Sequence, residues 1–411
     1  MKRDLNSRLS SLHQTGEIKT GRQVAEDHEK SSINDLFPGQ GREDETDFGR
    51  CYMREQELPL AHRHGSSSLD GILSCWGPEL ALPARNSGLV DFNPYHSLFL
   101  DIETTGLSGG TGTWAFLIGL GWFEDNQFRL RQYFLRRPSE ERAILKHINN
   151  VAANFPIMVT FNGKLFDLPL LQTRQMLSGL KRIEPAQHLD LLQCARALWK
   201  KRLPSRSLQS LEETLLDLKR GDDIPGSEIP AVYFDYLRRG KTDLIKKVFQ
   251  HNALDILSMV TLLERIFNTS SGKLIEHPAE AISLGCLCLE AGRSSEGIGY
   301  LREALKSRTD PWAEEAALEL SLHYKRQGKL EEAVSIWQES VTNNLANPKT
   351  YIELAKYYEH RCKEFRMALE LTEKALAVVK INQAAYFNRT NELSPEALQH
   401  RLKRLKRRLL L

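Results

Sequence analysis

The polar and apolar positions divide the chain into stretches of different texture. Up to about residue 45 the chain is polar and charged with few apolar anchors, which predicts a mostly disordered amino-terminal region over 1–45, with Leu36, Phe37 and Pro38 as one docking point. Residues 46–95 predict an extended connector or arm, and its His62–Arg63–His64 cluster reads as exposed polar residues, because no third ligand stands at metal spacing. From residue 96 the pattern changes. Ser97–Leu100 is an apolar strand running into Asp101, and Thr113–Phe123 and Phe128–Leu135 predict two more strands. Glu124–Asp125–Asn126–Gln127 between them is a polar turn of hairpin length. Ser139 suits the cap of a helix over Glu140–Val151. Ile157–Phe161 is a short buried strand, and Leu165–Leu180 a helix anchored by Phe166 and Leu170. Leu189–Leu192 fits the start of either a strand or a helix, and Leu208–Leu218, Ile229–Arg239 and Thr242–Phe267 have helical periodicity. The order predicts a mixed α/β sheet flanked by helices over 96–270, not a doubly wound βαβ repeat.

From Ala279 the pattern is helical and repetitive. Ala281–Leu305, Ala317–Val341 and Tyr351–Leu376 each read as helix, short polar turn, helix. Gly292 and Gly328 occupy equivalent turns 36 residues apart, close to the ~34-residue period of tetratricopeptide repeats. A single helical hairpin cannot bury its apolar face, so three repeats over 279–380 are expected to stack as an all-α, tetratricopeptide-like array. Ser394, Pro395 and Glu396 open a last helix over 394–411, in which Arg401, Lys403, Arg404, Lys406, Arg407 and Arg408 interleave with leucines. It reads either as a basic helix for phosphates or an acidic membrane surface, or as a cap on the last repeat with solvated charges.

Composition adds constraints and few positive signals. A chain of 411 residues makes two or three domains, and 41% hydrophobic with 27% charged residues is ordinary for a globular protein. The net charge of +3 means that any basic surface is local. Six cysteines without a CxxC pair predict reduced thiols in a cytoplasmic protein and no zinc site. The first residues lack an apolar signal-peptide core, and no apolar run is long enough to span a membrane.

The chemistry lies in three separated pieces. Asp101 and Glu103 end the first apolar strand, two apart and therefore on one face, where two carboxylates repel unless a cation stands between them. Thr104, Thr105 and Gly106 follow, a turn that brings backbone N–H groups near a ligand. Asp167 stands in Asn162-Gly163-Lys164-Leu165-Phe166-Asp167, between a strand and a helix. His251 and Asp255 lie four apart on one helix face. Each piece alone is a common structural feature: an acidic strand end, a helix-start acid, a surface pair.

In this order, the strand-borne Asp-x-Glu, the Asn-Gly-x-x-Phe-Asp and the helical His-x-x-x-Asp resemble the DEDD exonuclease superfamily. The nearest resemblance is to the YprB-type family, which joins such a domain to tetratricopeptide repeats. It covers roughly Cys51 to the end of the repeats and includes Leu107–Thr113 and the stretch Asp223-Ile224-Pro225-Gly226. The resemblance implies a ribonuclease-H-like fold and metal-dependent hydrolysis of DNA or RNA from a 3′ end. It makes Asp101, Glu103, Asp167 and Asp255 ligands of two divalent cations, Mg²⁺ or Mn²⁺, and gives His251 the place of the general base. The superfamily's third motif has a Tyr four before the Asp or a His five before it, whereas here a His stands at the Tyr spacing.

Two cations ~4 Å apart supply a hydroxide, neutralise charge at phosphorus and help the leaving oxygen. Hard cations of this kind prefer carboxylate oxygens. His188 and Asp190 are expected beside the metals or substrate, with Thr104, Thr105, Gly106, Asn162 and Lys164. Lys164, Arg174, Arg196, Lys200, Lys201, Arg202 and Arg206 are the basic groups available to grip a nucleic acid, with Trp199 beside three of them. The alternative of another class is a catalytically silent nucleic-acid-binding scaffold that recruits protein partners through its repeats.

Overall fold

The computed structural model describes residues 36–106, 111–306, 311–343, 347–385 and 394–410. The region expected to be disordered lies outside the described residues as far as residue 35, as do residues 107–110 of the loop after Gly106. The chain forms two compact units, one of residues up to Arg196 with Ser205–Ser271, the other of Ala197–Pro204 with Gly272 onward.

The first unit is built on one sheet. Its strands are β1 (Gly41–Thr46), β2 (Gly49–Pro59), β5 (Ser97–Thr104), β6 (Ala115–Glu124), β7 (Gln127–Phe134), β8 (Ile157–Thr160) and β9 (Gln187–Asp190), in the spatial order β1-β2-β7-β6-β5-β8-β9. The pairs from β1 to β5 are antiparallel, and β5–β8 and β8–β9 are parallel. The expected mixed sheet is therefore present. The turn between β6 and β7 takes two residues, Asp125 and Asn126, both in the left-handed region at φ 48° and 62°. That backbone matches the twist of a tight hairpin, which explains the Asp-Asn pair there. β5 and β6 are buried almost throughout, as central strands covered on both faces.

Two features depart from the sequence reading. Residues 41–45, expected to be disordered, and the start of the arm expected over 46–95 both lie inside the sheet, since Gly41–Thr46 and Gly49–Pro59 add two strands to it. Glu55 of β2 stands opposite Arg131 of β7, and its carboxylate accepts from Arg131 at 3.0 Å and Arg129 at 3.3 Å. Glu55, Arg129 and Arg131 thus form cross-strand pairs. The connector then makes a small ribbon of β3 (Arg63–His64) and β4 (Ser67–Ser68) and a helical turn, α1 (Ala81–Ala84). His64 is not an exposed polar group: it is buried, and its Nε2 lies 2.7 Å from Ser258 Oγ.

Helices α2 (Glu141–Ala152) and α3 (Asp167–Leu177) alternate with β8 and β9, and α4 (Leu191–Trp199), α5 (Leu208–Leu215), α6 (Ile229–Arg239) and α7 (Ile245–Ser270) follow them. The segment that fitted either a strand or a helix is both, because β9 ends at Asp190 and α4 begins at Leu191. α7 packs along β5 and β6, with Phe249, Asn252 and Ile256 on its buried face.

The second unit is helical. Its hairpins are α8 (Pro278–Glu290) with α9 (Ser294–Leu305), α10 (Pro311–Arg326) with α11 (Leu330–Thr342), and α12 (Pro348–Tyr357) with α13 (Phe365–Ala385). Gly292 and Gly328 both turn the chain at positive φ, 79° and 75°, where a Cβ would be strained. A π-helical turn at Tyr358–Cys362 follows α12. The last helix, α14 (Pro395–Leu409), opens with the Ser394 side chain accepting from Ala397 N–H. It buries Leu398 and Leu405, and Arg401 and Arg404 donate to the buried carboxylate of Glu359 at 2.5 and 2.8 Å. Of the two readings of this helix, the geometry favours the cap.

Candidate active site

Four strands carry one row of residues in register: Arg54 on β2, Gln132 on β7, Gly119 on β6 and Asp101 on β5. Asn252 of α7 sits on this row. Its Nδ2 donates to Asp101 Oδ2 at 2.8 Å and to the Asp101 carbonyl at 3.2 Å. Gln132 Nε2 donates to Asn252 Oδ1 at 2.8 Å and to the Phe249 carbonyl at 2.7 Å, and Arg54 donates to Gln132 Oε1 at 3.2 Å. Gly119 is required here, since a Cβ at that position would lie 2.2 Å from Asn252 Oδ1. A chain of buried hydrogen bonds thus fixes α7 against the strand that bears the first carboxylate.

Glu103 stands two residues on, with Ile102 between them turned into the core. Asp167 opens α3 after the turn Asn162–Phe166, in which Asn162 takes φ 64°. Gly163 allows the close return, because a Cβ there would lie 2.7 Å from Asp167 Oδ2 and 2.6 Å from Thr160 Cβ. Asp255 comes from α7, four residues past His251.

These groups act on one another. Burial, then Asp255, Glu103 and Asp167, hold the Asp101 carboxyl well above the usual carboxylate range. Burial, then Asp255, Asp167 and Asp223, do the same to Glu103. Burial, Asp190 and Asp255 push Asp167 up to about 7. Asp255 is raised by burial, against the pull of Arg220 and His251. The four carboxylates converge from two strand positions, a helix start and a helix face. Among the described residues, the acidic, His and Cys side chains are not drawn into a single coordination sphere. Asp255 is turned instead to the guanidinium of Arg220. His251 Nε2 lies 3.7 Å from Asp255 Oδ2 and 4.0 Å from Glu103 Oε1.

The other expected site residues divide by role. Thr104 Oγ1 donates to the Gly106 carbonyl at 3.0 Å, and Thr105 exchanges hydrogen bonds with the Trp114 backbone. Both therefore brace the turn after β5, and Thr104 and Gly106 line a cleft of about 570 Å³ beside Glu103 and Asp167. Asp190 accepts from the backbone N–H of Asn162 at 2.8 Å, Lys164 at 3.2 Å and Leu192 at 3.1 Å. It thus holds the turn that carries Asp167. His188 Nε2 lies 2.9 Å from Thr160 Oγ1 in the same support. Lys164 is exposed on that turn. Phe166 is not a helix anchor: it is 53% exposed and Leu165 is 64% exposed, and both line the cleft.

Several expected basic grips have other partners. Arg174 makes a bidentate pair with Glu141 at 2.5 and 2.7 Å, donates to the Thr111 carbonyl at 2.8 Å and lies over the Trp114 ring. Within the second unit Lys201 pairs with Glu315, Arg202 with Glu280, and the Trp199 indole N–H donates to Glu280 at 2.9 Å. The run Trp199–Arg202 is thus structural in large part, while Arg196 and Lys200 stay exposed. The sequence reading missed Asn252 and Arg220. Asn252 left a signal, a polar residue on the apolar stripe of α7 between Phe249 and Ile256, whereas Arg220 lies in a polar loop and left none.

The chain is similar in sequence to known proteins. The family model described as the RNase_H superfamily matches residues 98–267, which contain all four converging carboxylates. The uncharacterized protein YprB of Bacillus subtilis (strain 168) is 33% identical over 371 residues, covering 87% of this chain and 86% of YprB.

Proposed function

This chain belongs to the RNase_H superfamily, in one family with YprB, and on that premise we propose that it is a metal-dependent nuclease that hydrolyses DNA or RNA from a 3′ end. The observation that carries the reading is the convergence of Asp101, Glu103, Asp167 and Asp255 beside His251, at a cost in burial and mutual repulsion that a fold without use for it would not sustain. The 3′ polarity rests on the resemblance of the three motifs to the DEDD exonucleases.

Two divalent cations, Mg²⁺ or Mn²⁺, fit the donor set. The donors are hard oxygens, and the fixed positive charge that draws Glu103 and Asp255 down is the one guanidinium of Arg220, too little for four buried carboxylates. Asp101, Glu103, Asp167 and Asp255 would hold the ions, which when bound supply an acidified water and neutralise charge at phosphorus. The chain's own groups do the rest. Asn252 fixes Asp101, and the Asp190-braced turn fixes Asp167. His251 presents Nε2 toward Glu103 and Asp255, where it can take the proton of an attacking water. Phe166 offers an exposed ring on which a terminal base can stack, with Leu165 an apolar wall beside it, and Lys164 offers a charge to phosphate.

The test uses the purified wild type and Asp101→Ala with end-labelled DNA and RNA oligonucleotides in Mg²⁺, Mn²⁺ or EDTA. Metal-dependent cleavage that vanishes in the variant is the expected result, and the product ladder gives polarity and sugar preference. Binding without cleavage by both proteins under every metal condition would instead support the silent scaffold.

A further inference from the structure

The loop between α5 and α6 brings two charged side chains under the carboxylate cluster, and neither is among the four converging acids. Arg220 donates to Glu212 at 2.5 and 2.8 Å and to Asp223 Oδ2 at 3.0 Å, and it also pairs with Asp255. Asp223 meets His251 Nδ1 with both oxygens, at 3.0 and 2.9 Å. Its Oδ1 also accepts from the Ile224 N–H at 2.8 Å. Each oxygen of Asp223 thus has a donor besides the histidine, which fixes the plane of the carboxylate.

A carboxylate can only accept, so a neutral His251 meets Asp223 best with its hydrogen on Nδ1. Arg220 Nη1 also approaches Nδ1, but at 3.4 Å it is the longer contact, and its hydrogens have the carboxylates of Glu212, Asp223 and Asp255 as better acceptors. With the hydrogen on Nδ1, Nε2 carries the lone pair, and Nε2 is the atom that faces Glu103 and Asp255. We infer that Asp223 is the positioning residue of His251: it fixes the ring orientation and the Nδ1–H tautomer that leaves Nε2 able to accept a proton, and Arg220 holds Asp223 in place for this. The inference rests on the nuclease reading for its consequence in catalysis, and on the hydrogen bonds alone for the tautomer.

Asp223→Asn separates this role from mere packing because it keeps shape and removes charge. The amide has one oxygen for two donors. The charge-assisted bond to Arg220 claims it, and the amide NH₂ then faces Ile224 N–H and His251 Nδ1. A donor aimed at Nδ1 favours the Nε2–H tautomer, which leaves no lone pair at the proton-accepting atom. The experiment is long-range ¹H–¹⁵N NMR of the full-length protein with ¹⁵N-labelled histidine, at a pH where the ring is neutral, with His251 assigned by loss of its signals in His251→Gln. The same samples are assayed for Mn²⁺-dependent cleavage of a labelled single-stranded oligonucleotide. The wild type is expected to show Nδ1–H. Asp223→Asn is expected to show a growing Nε2–H fraction and a kcat lower by about a hundredfold or more, the scale of a lost general base, with KM little changed. Nε2–H in the wild type would overturn the inference without need of any variant, and so would an Asp223→Asn protein with unaltered tautomer and kcat. A wild type that cuts nothing but shows Nδ1–H, with the shift in the variant, would support the positioning role and sink the nuclease reading alone.

Discussion

Gly119→Ala tests whether the hydrogen-bonded row beneath the carboxylates holds the site together. The added methyl would lie 2.2 Å from Asn252 Oδ1 and 2.5 Å from Ile256 Cδ1. Ordinary contact needs roughly 3.4 Å or more, so α7 must retreat by about 1 Å at this level, or Asn252 must leave its rotamer. A retreat of that size stretches the 2.8 Å bonds of Asn252 to Asp101 and Gln132 beyond hydrogen-bonding range. Overpacking of a core typically costs about 1–3 kcal/mol, and each buried polar group left without its partner about 1–3 kcal/mol. Because the retreat relieves the clash as it breaks the bonds, the terms do not simply add, and we expect a loss of about 3–4 kcal/mol. The assay is equilibrium urea unfolding of the full chain, with Gly299→Ala as the control, since a Cβ at Gly299 meets nothing within 4 Å. The folded variant should also cleave more slowly, because Asp101 has lost its holder. A stability change below about 1 kcal/mol with unaltered cleavage would refute the claim that Asn252 and Gly119 seat the helix on the sheet.

Two further predictions address parts away from the carboxylates. Burial, with Arg220 and His62 nearby, depresses the His64 imidazole from its ordinary 6.5 to about 4. The folded-state pKa is the lower one, so the stability His64 contributes is fully present above about 6.5 and is lost as the pH falls from there through about 4, by about 3 kcal/mol in all. Urea unfolding of the wild type and His64→Gln at pH 7 and pH 4 measures it: the difference between the two proteins should change in favour of the variant on acidification, and parallel behaviour of both would refute the assignment. In the second unit, Glu359→Gln removes the buried negative charge that receives Arg401 and Arg404, and breaking such a pair costs about 3–5 kcal/mol when one partner stays buried. Because Arg404 is half exposed and can turn to water, a smaller loss of about 2 kcal/mol is expected, seen as faster tryptic release of α14. Unchanged trypsin resistance would show that the leucines alone dock that helix.

What could be read from the sequence follows from where the physics is local. The apolar run into Asp101, the Asp125–Asn126 hairpin and the glycines at 292 and 328 are local, because neighbours in sequence decide them. The strands at 41–46 and 49–59 were illegible, since charged residues such as Glu43 and Glu55 draw partners from far along the chain, Arg136 for the one and Arg129 and Arg131 for the other. Phe166 misled for a related reason. An apolar residue ahead of a helix usually packs inward, and nothing in the sequence says that its place is the wall of a cleft. The spacing of His251 and Asp255 on one helix face was legible, but the brace behind them was not. Arg220 and Asp223 lie in a loop, where no periodicity reports which way a side chain points.

The location of that brace bears on how such a site can exist at all. Four carboxylates brought together by folding are raised by burial, and Asp101, Glu103 and Asp167 also by neighbouring carboxylates, so they oppose the fold that assembles them. The chain offsets this at two points and by two means. At Asp101 the offset is neutral, an asparagine amide tied through Gln132 to Arg54, so the carboxylate is fixed without being discharged. At Asp255 it is ionic, and Arg220 draws on two further carboxylates, so its charge is divided among them. An arginine shared in this way steadies Asp255 without belonging to it alone, which leaves room for a cation to compete for that side chain. A full ion pair at Asp101 would do the opposite, locking that carboxylate to a permanent positive charge. The neutral brace therefore belongs on the buried strand and the divided ionic one on the helix face, which is where the fold has placed them.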